Sequence, residues 1–158
     1  PVVFICENNF FSVYTHLKNR QPPQRKIYKL AKAMGAISYK LKQDNPFKLF
    51  KKVKNIFDNV RKKPSTHFIE IETCRYLEHC GPNDDSKLGY RSIKELVKWK
   101  KKDPLVFSKN YLIKSKLINK KKIEILDKKI INSINKDFAY LKKLKKPQFK
   151  NINKLVYK

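Results

Sequence analysis

Five consecutive apolar residues, Val2 to Cys6, stop abruptly at Glu7. A short run without alternation suits a strand buried on both faces of a parallel sheet, and parallel neighbours require long crossover connections, usually helices. The following residues supply them. Ile27, Leu30, Ala31 and Met34 recur at helical spacing ahead of Gly35, where a helix usually terminates. Ala36 to Leu41 alternates apolar and polar residues and predicts a second strand. Asp44-Asn45-Pro46 then reads as a helix start, a capping side chain followed by Pro at the first helical position. The helix it opens carries Phe47, Leu49, Phe50, Val53, Ile56, Phe57 and Val60, and Lys62-Lys63-Pro64 stops it. Phe68 to Thr73 is the third strand. This alternation predicts an open α/β sheet with crossover helices, in which ligands bind beyond the carboxyl ends of the strands.

Beyond residue 91 the pattern is helical only. Ser92-x-x-Glu95 has the form of a capping box, opening a helix through Trp99. Asp103-Pro104 starts another, with Leu105, Val106, Tyr111 and Leu112. A long helix runs from about Asn119 to Lys145 on a stripe of Ile123, Leu126, Ile130, Ile134, Phe138 and Leu141, and Pro147 ends it. The expected organisation is a partial α/β domain over 1–91, an all-helical extension of it over 92–146, and a basic tail over 147–158.

Lys and Arg number 39 against 13 Asp and Glu, a net charge of +26, which invites a nucleic-acid reading. Yet only Arg20, Arg25, Arg61, Arg75 and Arg91 are arginine, the residue preferred for bidentate phosphate and base contacts. The lysines are spread along every helical segment, on faces that read as solvated, so nucleic-acid binding is the weaker expectation. No apolar run approaches the roughly 20 residues that span a bilayer, which argues against an integral membrane protein. The chain opens on Pro1 inside a strand-like run without a charged leader, which suggests a fragment and not a signal peptide. Cys6, Cys74 and Cys80 form no Cys-x-x-Cys pair and match no common zinc spacing, so reduced thiols and a cytoplasmic setting are expected.

Two stretches carry the chemistry. Glu7-Asn8-Asn9 ends the first strand, where an amide oxygen can either shape a turn or take one position of a hard-cation shell. The second is the loop from Thr73 to Arg91, with Arg75, Tyr76, His79, Asp84, Asp85 and Tyr90-Arg91 and two of the chain's three Gly. A lone loop imidazole is more often idle than functional, but its ordinary pKa of about 6.5 suits proton transfer. His16 and His67 read as structural, with His16 the one placed to approach a ligand.

Together these stretches resemble the alpha subunit of the thiamine-diphosphate-dependent 2-oxo acid dehydrogenases, the family of the pyruvate, branched-chain and acetoin enzymes. The Ala31-x-x-Met34-Gly35 helix end and Trp99-Lys-x-x-Asp103-Pro104 agree with it, and the resemblance corresponds to the carboxyl-terminal half of such a subunit. It implies a partial thiamine-diphosphate-binding fold and oxidative decarboxylation of a 2-oxo acid, with acyl transfer to a lipoyl group. It further implies Mg²⁺ held by Asn9 and the carbonyl of Phe11, and His79 over the cofactor diphosphate as the catalytic residue. The Gly-Asp-Gly half of the cofactor motif is not in these residues. Cys74, Glu78 and Cys80 depart from the pyruvate enzymes, leaving the 2-oxo acid open. The implied partners are a beta subunit, in a heterotetramer, and a lipoyl-bearing acyltransferase. The competing expectations are a basic RNA- or polyanion-binding module and an inactive split-gene remnant of the dehydrogenase.

Overall fold

The computed structural model describes residues 1–43 and 45–145; the expected basic tail, Pro147 and Asp44 lie outside them. Three parallel strands form the main sheet: β1 (Val3–Asn8), β4 (Ile37–Lys42) and β5 (His67–Glu72), in the order β1-β5-β4. Between β1 and β4 lie a short antiparallel hairpin, β2 (Phe11–Ser12) with β3 (Thr15–His16), and the helix α1 (Ile27–Ala33). The helix α2 (Pro46–Lys62) connects β4 to β5. The parallel sheet and its crossover helices match the expected class. After it come α3 (Ile93–Lys100), α4 (Pro104–Lys114) and α5 (Lys120–Lys143). The chain divides into two compact units, Pro1–Tyr111 and a second beginning at Leu112. No helix among the described residues is long and apolar enough to cross a membrane.

Strand register sorts the side chains onto two faces, because successive residues of a strand alternate. Ile5, Ile69 and Tyr39 are directly paired across the sheet. On that side Ile56 and Val60 of α2 close over Ile69, with Val3, Val53, Leu41 and Ile71 packed around them. Cys6, Glu70 and Lys40 form the alternate row, on the side of α1. There the Tyr28 amide donates to Glu70 Oε2 at 3.0 Å and the Ser38 hydroxyl donates to the Tyr28 carbonyl at 2.7 Å.

The strand expected to be buried on both faces is not β1. Phe4 and Ile5 are 53 and 50% exposed, whereas Ile69 of the central β5 is fully covered. The reason is strand order: among the described residues β1 pairs only with β5, and α2 builds its apolar cluster around β5 and β4. Helix boundaries follow local chemistry more closely. Asn45 caps α2 by accepting from the Lys48 amide at 3.1 Å, and Asn119 caps α5 by accepting from Lys122 at 2.8 Å. Asp103 Oδ1 accepts from the amides of Leu105 and Val106 at the start of α4. The Ser92–Glu95 capping box does not form; Ser92 occupies the cap position with no side-chain capping bond.

Candidate functional site

At the carboxyl end of β1, two side chains redirect the backbone. Asn8 Oδ1 accepts from the Phe10 amide and Asn9 Oδ1 from the Phe11 amide, both at 2.9 Å. These Asx turns accompany a left-handed Phe10 (φ 64°), a conformation in which Asn and Asp turns relieve the backbone. Asn8 is buried, and its Nδ2 donates to Glu70 Oε1 at 2.7 Å, which ties the turn to the centre of the sheet. Asn9 is only half-buried and keeps acceptor capacity, since an amide oxygen has two lone pairs and one is used.

The loop after β5 is fastened to this turn. Thr73 continues the strand ladder by donating its amide to the Asn8 carbonyl at 2.9 Å. Arg75 Nη2 donates to the Val13 carbonyl at 2.9 Å and to the Tyr90 hydroxyl at 3.1 Å. Tyr90 in turn donates to Asp85 Oδ2 at 2.5 Å, while its ring meets Phe11 and Tyr14 edge-on. Arg91 binds Asp85 Oδ1 and donates to the carbonyls of Arg75 and Tyr76, closing the loop on itself. Asp85 is 4% exposed. Burial alone would raise its pKa, but the Tyr90 hydroxyl and the Arg91 guanidinium overcome that and hold its carboxyl below the usual value. Further along, the Tyr76 hydroxyl donates to the Trp99 carbonyl at 3.3 Å. Burial, with Asp103 nearby, pushes its pKa up to about 12.

These two loops enclose a cavity of about 20 Å³, lined in part by Asn9, Phe11, Cys74, Arg75 and Arg91. It has room for about one water. Arg75 Nη1 and Arg91 Nε are buried there without a hydrogen-bond partner. Asn9 and Phe11 therefore meet the 73–91 loop at the carboxyl edge of the sheet. His79 does not line this cavity; it is exposed on the loop, next to Glu78, whose Oε1 accepts from Asn83 at 2.7 Å. His67 is buried at the opposite end of β5 and hydrogen-bonded to Ser65 Oγ at 2.9 Å, a structural role. His16 packs edge-on against Phe11 at 5.0 Å. Among the described residues no cluster of three or more His, Cys, Asp or Glu could hold a metal ion. Asn9 Oδ1 and the Phe11 carbonyl are neutral, hard oxygens, fit for one or two positions of a magnesium-type shell that other ligands would have to complete.

The position of Asp85 as the hub of the loop is not visible in spacing, although an acid five residues before a Tyr-Arg pair is the signal that could have found it. The β2–β3 hairpin was also unannounced, because Phe10 and Val13 adopt positive φ angles without a glycine between them.

An open parallel sheet with two loops joined beyond its carboxyl edge defines an α/β domain, of the class whose ligands sit at that edge. Comparison with known proteins narrows the class. The dehydrogenase E1 component family matches residues 1–150. The chain is 27% identical over 130 residues to the pyruvate dehydrogenase E1 component subunit alpha of Rickettsia typhi, covering 82% of this chain and 39% of that protein. It is 28% identical over 119 residues to the 2-oxoisovalerate dehydrogenase subunit alpha of Bacillus subtilis, covering 75% of this chain and 35% of that one. A chloroplastic pyruvate dehydrogenase subunit alpha-3 of Arabidopsis thaliana is 27% identical over 131 residues, covering 82% and 29%. The chain belongs to the dehydrogenase E1 component family, and it spans about two fifths or less of the length of these relatives.

Proposed function

We propose that this chain forms the carboxyl-terminal part of a thiamine-diphosphate-dependent 2-oxo acid dehydrogenase alpha subunit. In the assembled enzyme the reaction is oxidative decarboxylation of a 2-oxo acid with transfer of the acyl unit to a lipoyl group. The observation that carries the reading is the joining of Asn9 and Phe11 to Arg75 and Arg91 in one cavity, within a chain matched almost throughout by the family. Asn9 Oδ1 and the Phe11 carbonyl contribute two oxygen ligands to Mg²⁺. The Asn8–Glu70 bond and the Arg75–Val13 bond hold those oxygens in place. Bound thiamine diphosphate supplies the electron sink that decarboxylation needs, while the protein orients substrate and excludes water. His79, free of hydrogen bonds among the described residues, is the residue that would face the cofactor diphosphate and hold or release a proton during acyl transfer. The remaining Mg²⁺ ligands would come from the rest of the family's domain, and a beta subunit, in a heterotetramer served by a lipoyl-bearing acyltransferase, would complete the cofactor site. The functional division follows: residues 1–91 hold the cofactor-facing loops, and 92–146 form the helical extension.

The test is a chimera in which residues 1–145 replace the matching segment of the Rickettsia typhi alpha subunit, co-expressed with that enzyme's beta subunit. The expected result is thiamine-dependent decarboxylation, abolished by Asn9→Ala. His79→Ala should slow transfer to a lipoyl acceptor while sparing Mg²⁺ affinity. A chimera that folds and assembles but never turns over with any 2-oxo acid would overturn the reading. The 158-residue chain alone should bind thiamine diphosphate and Mg²⁺ more weakly than micromolar, as titration calorimetry measures.

A further inference from the structure

A second cavity, of about 280 Å³, opens on the α1 side of the sheet beneath the 16–27 loop. Asn8 and Glu70 line it, and Phe10 lines both this cavity and the one at Asn9. Four cations, Lys18, Arg25, Lys26 and Lys40, line it together with His16. The acids nearby are already engaged. Both Glu70 oxygens accept from protein donors, Asn8 Nδ2 and the Tyr28 amide. Lys40 pairs with Glu72 at 2.5 Å, and Lys26 Nζ donates to the Pro23 carbonyl at 3.1 Å. Lys18 and Arg25 have no ion pair among the described residues. His16 Nδ1 accepts from the Lys18 amide at 3.0 Å, which leaves Nε2 as the N–H donor of a neutral ring.

We propose that this cavity binds a small phosphate-bearing dianion. The charge balance favours a dianion: four lining cations against the carboxylates of Glu70 and Glu72 leave two positive charges unmatched. The donor types favour phosphate, because a guanidinium fork, an ammonium and an imidazole N–H all suit the oxygens of a tetrahedral oxyanion. Size sets the upper limit. Pockets for drug-sized ligands run from roughly 300 to 1,000 Å³, so this one suits a phosphate or a compact phosphate ester and not a dinucleotide. The site stands apart from the cofactor reading, since its donors are His16, Lys18 and Arg25 and not Asn9, Phe11 or His79. Occupancy would tie the 16–27 loop to the sheet and steady Phe10, the shared wall.

The experiment is titration of the 158-residue chain with inorganic phosphate at fixed ionic strength, without Mg²⁺ or thiamine diphosphate, followed by calorimetry and ³¹P line width. A saturable single site is expected. Lys18→Glu with Arg25→Glu should weaken it about tenfold or more, as the loss of two charge-assisted contacts requires. Arg25→Gln, a milder change, should give an intermediate loss, and circular dichroism confirms that each variant is folded. Lys51→Glu with Lys52→Glu, on the exposed face of α2, should leave phosphate binding unchanged. The proposal is overturned if the Lys18/Arg25 pair has no effect, or if the α2 pair weakens binding equally, which would mark diffuse charge. Replacing phosphate by a single-stranded RNA separates the small-anion site from polyanion attraction, since only the latter loses affinity steeply with salt.

Discussion

Asp85 receives the Tyr90 hydroxyl on one oxygen and the Arg91 guanidinium on the other, with Arg75 Nη1 3.9 Å away. The nearly buried side chain of Arg91, the partly buried Arg75 and a phenol thus depend on a single carboxylate. Removing one partner of such a pair leaves an uncompensated buried charge, typically at a cost of about 3–5 kcal/mol. Asp85→Ala should therefore lower the stability of unit 1 by a few kcal/mol in urea unfolding, a loss that Asp84→Ala should not match. Asp84 is exposed and bonds locally to Ser86. The pH dependence follows from the depressed carboxyl. A group whose folded-state pKa lies below its unfolded one stabilises above the unfolded value, about 3.9 for Asp, and loses that contribution as pH falls through the folded value. Acidification below about pH 4 should loosen the 73–91 loop in wild type, read as faster amide exchange at Tyr76 and Arg91. In Asp85→Asn that acid step should be missing.

The helices show which signals are local enough to read from a sequence. The Asn45 cap, the Asn119 cap and the Asp103 start all rest on a side chain reaching an amide two or three residues away, so spacing alone reveals them. Ser92 has the same spacing relative to Glu95, yet it makes no cap bond and instead lines the Asn9 cavity beside Glu95. This contrast gives a direct comparison: Asn45→Ala should cost about 1 kcal/mol in denaturant unfolding, and Ser92→Ala distinctly less. Gly35, at φ 93°, turns the chain from α1 into β4, and Gly35→Ala should cost about 1 kcal/mol although open space surrounds it. Burial of β1 departs from its composition for the opposite reason. Its composition fits a central strand, but coverage depends on how many neighbours the sheet supplies, a property that Val2 to Cys6 do not encode. At the site, the Asn8-Asn9 turn and the Tyr90-Arg91 pair were legible as motifs. The cavity they close required the hairpin, which positive φ at Phe10 and Val13 concealed.

Two opposing surface properties govern the molecule as a whole. A net charge of +26 keeps copies apart, whereas the outer edge of β1 presents Phe4 on one face and Ile5 on the other, both about half exposed, beside unpaired backbone groups. An uncovered apolar edge strand favours pairing with another chain, and charge is the usual restraint. The balance between them depends on ionic strength, because the screening length falls from about 30 Å at 0.01 M salt to about 3 Å at 1 M. At low salt repulsion acts over a distance comparable to the domain itself; at high salt it is confined to contact, while burial of Phe4 and Ile5 is unaffected or strengthened. Sedimentation of the 158-residue chain should show monomers at low salt and concentration-dependent association as salt rises. Ile5→Lys places a charge in the centre of that edge and should suppress the association at every salt concentration, whereas Phe50→Lys, on an exposed part of α2, should not. Equal suppression by both variants would assign the association to general hydrophobicity and release β1 from the role.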